Sequence, residues 1–104
     1  MASIEEQISR MDSFIAVMKE QFRVNAHKGD WRERTIHHPG GRDEPVTTAH
    51  ALMRLREELR ELQLAVDTGE EPEVVSREAA DVANFALIVA DLYALDPTWR
   101  LSGH

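Results

Sequence analysis

The sequence predicts an all-α protein, a helical bundle that is completed by oligomerisation. Three segments carry apolar residues at steps of three and four, which is the periodicity of amphipathic helices, and no segment shows a convincing strand pattern. In the third segment, residues 82–90 (VANFALIVA) are apolar on nearly every side, as expected of a helix buried all round. A bundle of only three helices of this size cannot cover the third helix on every side. We therefore expect several copies to pack into one bundle.

The first helix is predicted over residues 4–26. Ser3 and Glu6 have the spacing of a capping box at its start. One apolar stripe runs along the helix: Ile4, Ile8, Met11, Phe14, Ile15, Met18 and Phe22. This stripe predicts a helix that packs one face against the rest of the bundle.

A long loop is predicted next, over about residues 27–47. Gly29 and the Pro-Gly-Gly cluster at 39–41 break the helical pattern. Residues 23–42 carry five Lys or Arg and two acidic residues, a local charge of +3 in a chain of net charge −7. This basic segment is either a site for a small anion such as phosphate or a solvated loop.

The second and third helices are predicted over residues 48–68 and 73–95. Because the turn between them is short, they should form an antiparallel hairpin. Thr47 or Thr48 can cap the second helix, and Gly69 can end it. The apolar stripe of the second helix consists of Leu52, Leu55, Leu59, Leu62 and Val66.

The composition excludes several classes of protein. The chain has 104 residues, of which 42% are hydrophobic and 30% charged, and these values suit one domain over residues 1–104. Without a cysteine it has no disulfide, thiolate metal site or cysteine nucleophile. The net charge of −7 argues against a nucleic-acid-coating protein. With no long apolar run and no signal-peptide pattern, we expect a cytoplasmic protein that does not bind membranes.

Each helix of the predicted hairpin carries a pair of acidic residues three positions apart, around the edge of one core. Glu78 falls in the middle of the third helix's apolar stripe, and Asp81 lies at its edge. Glu58 borders the stripe of the second helix, with Glu61 three residues later. Four carboxylates around one core can hold one or two Mg²⁺ or Mn²⁺ ions. The alternative is ion pairing with arginines of the same helices: Arg54, Arg56, Arg60 and Arg77.

These acidic pairs resemble the ExxE…ExxD signature of the MazG-like, all-α nucleoside triphosphate pyrophosphatases. The motif ELRE at 58–61 precedes EAAD at 78–81, within the strings LREELRELQLAV and REAADVANFALIVAD. The similarity covers about residues 50–93. The segment 25–31 (NAHKGDW) is similar to the N-terminal loop of small members of the family that are often found in phages, whereas the stretch 32–47 matches no known part of the pattern.

The resemblance implies hydrolysis of a ribo- or deoxynucleoside triphosphate to the monophosphate and pyrophosphate. Its role would be control of the dNTP pool or removal of unwanted nucleotides. The family uses Mg²⁺, with Mn²⁺ able to substitute, and assembles as homodimers or tetramers. The metal ligands that it implies are Glu58, Glu61, Glu78 and Asp81.

Hydrolysis would require further side chains beside these ligands. A carboxylate that takes a proton from the attacking water would be Glu57 or Glu61. The charge on the departing pyrophosphate needs cations, for which the candidates are Lys28, Arg54 and Arg77. Each of these three is alternatively an ordinary surface charge.

The nucleoside itself would be contacted by polar and aromatic side chains. His27 and Trp31 in the loop are candidate substrate contacts, and Trp31 either stacks on a base or anchors the loop to the bundle. Asn84, one turn past Asp81, either bonds the sugar or base or bonds a neighbouring helix, and its position resembles that of a substrate-contacting Asn in the family. The competing hypothesis is a non-catalytic bundle that binds nucleotide or a partner protein.

Overall fold

The described part of the chain consists of three helices and one pair of short antiparallel strands. The computed structural model describes residues 2–24, 35–37 and 43–95. Its elements are α1 (Ile4–Val24), β1 (Thr35–His37), β2 (Asp43–Pro45), α2 (Thr48–Asp67) and α3 (Pro72–Leu95). The predicted helical class is thereby confirmed. None of these helices combines the length and the apolar character that a membrane span requires.

The strands β1 and β2 correct the expectation that the chain contains no strand. They pair antiparallel inside the predicted loop, with Ile36 opposite Glu44. Each strand has only three residues, which is too short for an alternating pattern to be recognised. The β-branched residues Thr35 and Ile36 are the local feature that favours a strand here.

Both predicted caps are present at the helix starts. The Ser3 hydroxyl accepts a hydrogen bond from the Glu6 backbone N–H at 3.1 Å, which satisfies a donor at the start of α1. At α2 the cap is Thr47, whose hydroxyl accepts from the His50 backbone N–H. His50 Nδ1 accepts in return from the Thr47 backbone N–H at 3.3 Å, so a histidine completes this capping box.

The helices α2 and α3 pack against each other as the predicted hairpin, and α1 packs on α3. The core is built from Ala51 of α2 with Ile88 and Leu92 of α3, and Phe22 of α1 packs against it. Ala80 of α3, a small residue, is fully buried. The packing of α2 on α3 brings the acidic residues of the two helices together.

The apolar stripes are only partly buried within one chain. On α2, Leu59 and Val66 are 53% and 54% exposed, whereas Glu58 is only 7% exposed. The side of α2 that meets α3 is therefore offset from its apolar stripe. On α1 the exposed large residues include Ile4, Ile8, Met11 and Ile15. Such residues are what further copies would cover, and assembly stays a prediction.

Gly69 ends α2 as predicted, and its conformation gives a test of the fold. Its φ is +69°, a left-handed conformation, and its N–H bonds the Val66 carbonyl while the Glu70 N–H bonds the Ala65 carbonyl. Gly69→Ala should lower the free energy of unfolding by about 1–2 kcal/mol because an L side chain is strained there. Gly69→Asn should cost less, since Asn tolerates this region. Equal urea midpoints for wild type and Gly69→Ala would contradict the assignment.

Candidate metal site

Three carboxylates from two helices meet between α2 and α3. Glu58 lies in the middle of α2, and Glu78 and Asp81 lie one turn apart on α3. Each contributes one oxygen to a group in which all the oxygens lie within 4.8 Å of one another. Carboxylate oxygens are the ligands that Mg²⁺ and Mn²⁺ prefer, so these three residues could bind a metal ion.

The burial of this cluster distinguishes it from surface acids. Glu58 is 7% exposed, and Glu78 and Asp81 are half-buried. The Oε2 atom of Glu78 is buried and has no hydrogen-bond partner among the described residues. An ionised carboxylate in such a position is costly unless it is paired, protonated or bound to a cation.

The pKa values show the same crowding of negative charge. Burial raises the pKa of Glu58 to about 7, and a hydrogen bond and the charge of Glu61 add to this shift, as does the charge of Asp81. Burial also raises the pKa of Glu78, again with the charges of Glu61 and Asp81 contributing. Glu61 lies outside the group of three, yet its charge acts on both glutamates. The charges of Glu61 and Asp81 thus act on both of the predicted ligands whose pKa is raised.

Arg54 neutralises part of this charge from within α2. Its guanidinium pairs with Glu57 and with Glu58 Oε1, the latter at 3.1 Å. It also lies 5.4 Å from the centroid of the Phe85 ring on α3, within the range of a cation–π contact. Ion pairing therefore accounts for Glu57 and partly for Glu58. Among the described residues, no ion pair involves Glu78.

The helix α1 makes two polar contacts with α3, one of them to the cluster residue Asp81. Gln21 Nε2 donates to Asp81 Oδ1 at 3.1 Å, and Asn84 Nδ2 donates to the Met18 carbonyl at 3.1 Å. Of the two roles considered for Asn84, the structure shows the helix–helix bond. Its Oδ1 is buried without a partner among the described residues, so an acceptor remains for a further donor. Sequence reasoning missed Gln21. The feature of the sequence that could have indicated it is its position next to Phe22, the last residue of the apolar stripe of α1.

Arg77 directly precedes Glu78 and lies at the surface. Its charge opposes the rise in the pKa of Glu78. It lines an open cavity of about 400 Å³ together with residues of α1 and of the start of α3: Val17, Pro72, Glu73 and Ser76. A cavity of this size falls in the range of small-molecule sites.

Three predicted substrate contacts, His27, Lys28 and Trp31, lie outside the described residues and stay predictions. Arg54, Arg77 and Asn84 lie on the same two helices as the cluster, and their roles toward a substrate stay predictions as well. The roles of Glu57 and Glu61 in proton transfer also stay predictions.

Comparison with known proteins adds no family assignment. No protein-family model matches the chain, and neither a curated protein nor a solved structure matches it.

Proposed function

We propose that this chain is a Mg²⁺-dependent nucleotide pyrophosphohydrolase of MazG-like type, which converts a ribo- or deoxynucleoside triphosphate to the monophosphate and pyrophosphate. The observation that carries the proposal is the meeting of Glu58, Glu78 and Asp81 within 4.8 Å across two packed helices. A purely structural bundle gains nothing from crowding carboxylates, because their mutual repulsion and burial destabilise the fold. A cation removes that cost.

The donor set suits the proposed metal. Every side chain in the group offers a hard carboxylate oxygen, and the chain has no cysteine thiolate to favour a softer ion. The buried Oε2 of Glu78 is an acceptor without a donor among the described residues, as expected of an atom that faces a cation. Glu58, Glu78 and Asp81 would hold the ion, with Glu61 as the fourth ligand. When bound, Mg²⁺ would offset phosphate charge and acidify a water molecule.

The remaining roles fall to side chains around the cluster. Glu57 or Glu61 would accept a proton from the attacking water. Arg77, which precedes Glu78 on α3 and lines the open cavity, would contact the phosphates and offset the charge of the departing pyrophosphate. Asn84 has a buried amide oxygen that can accept a bond from a sugar hydroxyl or a base. The loop residues His27, Lys28 and Trp31 would complete the nucleoside site.

Assembly is part of the proposal. The exposed apolar residues of α1, Ile4 to Ile15, and of α2, Leu59 and Val66, form surfaces that a homodimer or tetramer would bury. The proposed role is control of the dNTP pool or removal of unwanted nucleotides in the cytoplasm.

Product analysis tests the proposed reaction. Each ribo- and deoxynucleoside triphosphate is incubated with the protein in Mg²⁺, in Mn²⁺ and in EDTA, and the products are separated by ion exchange. We expect monophosphate and pyrophosphate with either metal and no product in EDTA. Diphosphate and orthophosphate would show that a different bond is cleaved. No turnover, with a melting temperature that metal leaves unchanged, would favour the non-catalytic bundle.

A further inference from the structure

The contact between Gln21 and Asp81 links α1 to the carboxylate cluster. Gln21 Nε2 donates to Asp81 Oδ1 at 3.1 Å, although α1 contributes no acid to the group of three. Three residues away on each helix, Asn84 Nδ2 donates to the Met18 carbonyl at the same distance. Two amide side chains, one from each helix, therefore join α1 to the turn of α3 that carries Asp81.

The bond from Gln21 to Asp81 differs in charge from the pairing of Arg54 with Glu58. The guanidinium of Arg54 both bonds and neutralises Glu58. The amide of Gln21 is neutral, so it can restrict the orientation of the Asp81 carboxylate while leaving its negative charge in place. A carboxylate that is held in orientation but still charged suits a metal ligand, because partners of this kind raise metal affinity.

A second feature beside this contact indicates that the cluster is built for a ligand. Asn84 is more than nine-tenths buried, at 7% exposed, and its Oδ1 has no donor among the described residues. A buried amide oxygen normally has a partner, and a substrate hydroxyl or a water on a bound ion would supply one. Asn84 lies one turn past Asp81 on α3, so this unpartnered acceptor and the Gln21 bond both lie where α1 packs on α3.

We propose that Gln21 is a positioning residue of the metal site, whose amide holds the Asp81 carboxylate toward Glu58 and Glu78. The inference rests on the proposed function, because it requires the cluster to bind a divalent cation. Loss of this amide should therefore weaken metal binding, whereas a bond that only fastened α1 to α3 would affect folding stability alone.

The chain offers a matched control for this substitution. Gln63 Nε2 donates to Asp67 Oδ1 at 2.9 Å, which is the same amide-to-carboxylate bond between exposed residues of one helix. At about 100° per residue, Gln63 lies roughly 140° around α2 from Glu58, away from the cluster. Gln63→Met therefore removes the same kind of bond without touching the metal site. Gln21→Ala, with the highest helix propensity, provides a second variant if Gln21→Met does not fold.

The experiment measures Mn²⁺ affinity by calorimetry and by the EPR signal of free Mn²⁺, at a temperature where circular dichroism shows every variant to be folded. We expect Gln21→Met to raise the Mn²⁺ dissociation constant about tenfold or more, and Gln63→Met to leave it at the wild-type value. An unchanged dissociation constant in Gln21→Met, with or without a lower melting temperature, would overturn the positioning role while leaving the metal site intact. A wild-type protein that binds no Mn²⁺ would overturn the proposed function and this inference together.

Discussion

Glu58→Gln is expected to abolish metal-dependent hydrolysis while the protein remains folded. The substitution keeps the size of the side chain and its ability to bond Arg54 through the amide oxygen, but it removes the charge of a proposed metal ligand that is 7% exposed. A bound divalent ion contributes several kcal/mol to transition-state stabilisation, and each 1.36 kcal/mol is tenfold in rate. We therefore expect a loss of about 10³-fold or more in kcat/KM, measured as pyrophosphate release.

The fold of this variant provides the necessary contrast. Because Glu58 is crowded by Glu61 and Asp81, its neutralisation should leave the melting temperature in EDTA unchanged or raise it. Asp81→Asn should lose activity in the same way. Glu20→Gln is the matched control, since Glu20 is an exposed acid that pairs with Arg23 on α1, and it should retain wild-type turnover. Full activity of both Glu58→Gln and Asp81→Asn would refute the assigned site.

The helices and the acidic cluster could be predicted because their signals are local and periodic. Gly69 and Thr47 mark the ends of α2 through backbone chemistry that involves only neighbouring residues. The spacing of Glu78 and Asp81 places both on one face of any helix. Once the short turn makes α2 and α3 neighbours, the meeting of Glu58 with these two residues follows from the hairpin itself.

The features that sequence reasoning missed depend on tertiary packing. The side of α2 that meets α3 carries Glu58, so Glu58 is buried and Leu59 is exposed. The apolar stripe alone predicts the reverse. The buried residues on this side of the hairpin include the small residues Ala51 and Ala80, which an apolar stripe of large residues does not indicate. The contact from Gln21 to Asp81 joins residues sixty positions apart. No spacing rule within one helix can indicate it.

The pH dependence of folding tests the same cluster without any substrate. The pKa of Glu58 is raised from an ordinary value of 4.5 to about 7 in the folded protein, mainly because burial disfavours its charged form. A group with a raised pKa in the folded state contributes its full stability below its unfolded pKa, and that contribution is lost as the pH rises through the folded pKa. The metal-free protein should therefore become less stable between about pH 4.5 and pH 7.5, and the raised pKa of Glu78 acts in the same direction.

The size of this effect makes it measurable. A shift of this size corresponds to at most about 3 kcal/mol, which is about 15 °C in melting temperature for a chain of this length. Denaturant unfolding in EDTA across this range should show the decline in the wild type and a much flatter profile in Glu58→Gln, whose amide does not ionise. Glu20→Gln should follow the wild type. Parallel profiles for the wild type and Glu58→Gln would show that Glu58 is not a buried acid of this kind.

Metal should reverse the decline at high pH, because a cation binds the ionised cluster in the folded state and finds no such site in the unfolded chain. Mg²⁺ at a hundred times its dissociation constant stabilises a folded protein by about 2.7 kcal/mol, which is comparable to the stability lost through ionisation of Glu58. Stabilisation by Mg²⁺ should accordingly be large at pH 8 and small at pH 5, where a proton occupies Glu58, one of the carboxylates that the ion needs. An equal effect of Mg²⁺ at both pH values would show that it binds elsewhere. Only at a site whose ligands take up protons in this pH range does the stabilisation by Mg²⁺ fall as the pH is lowered.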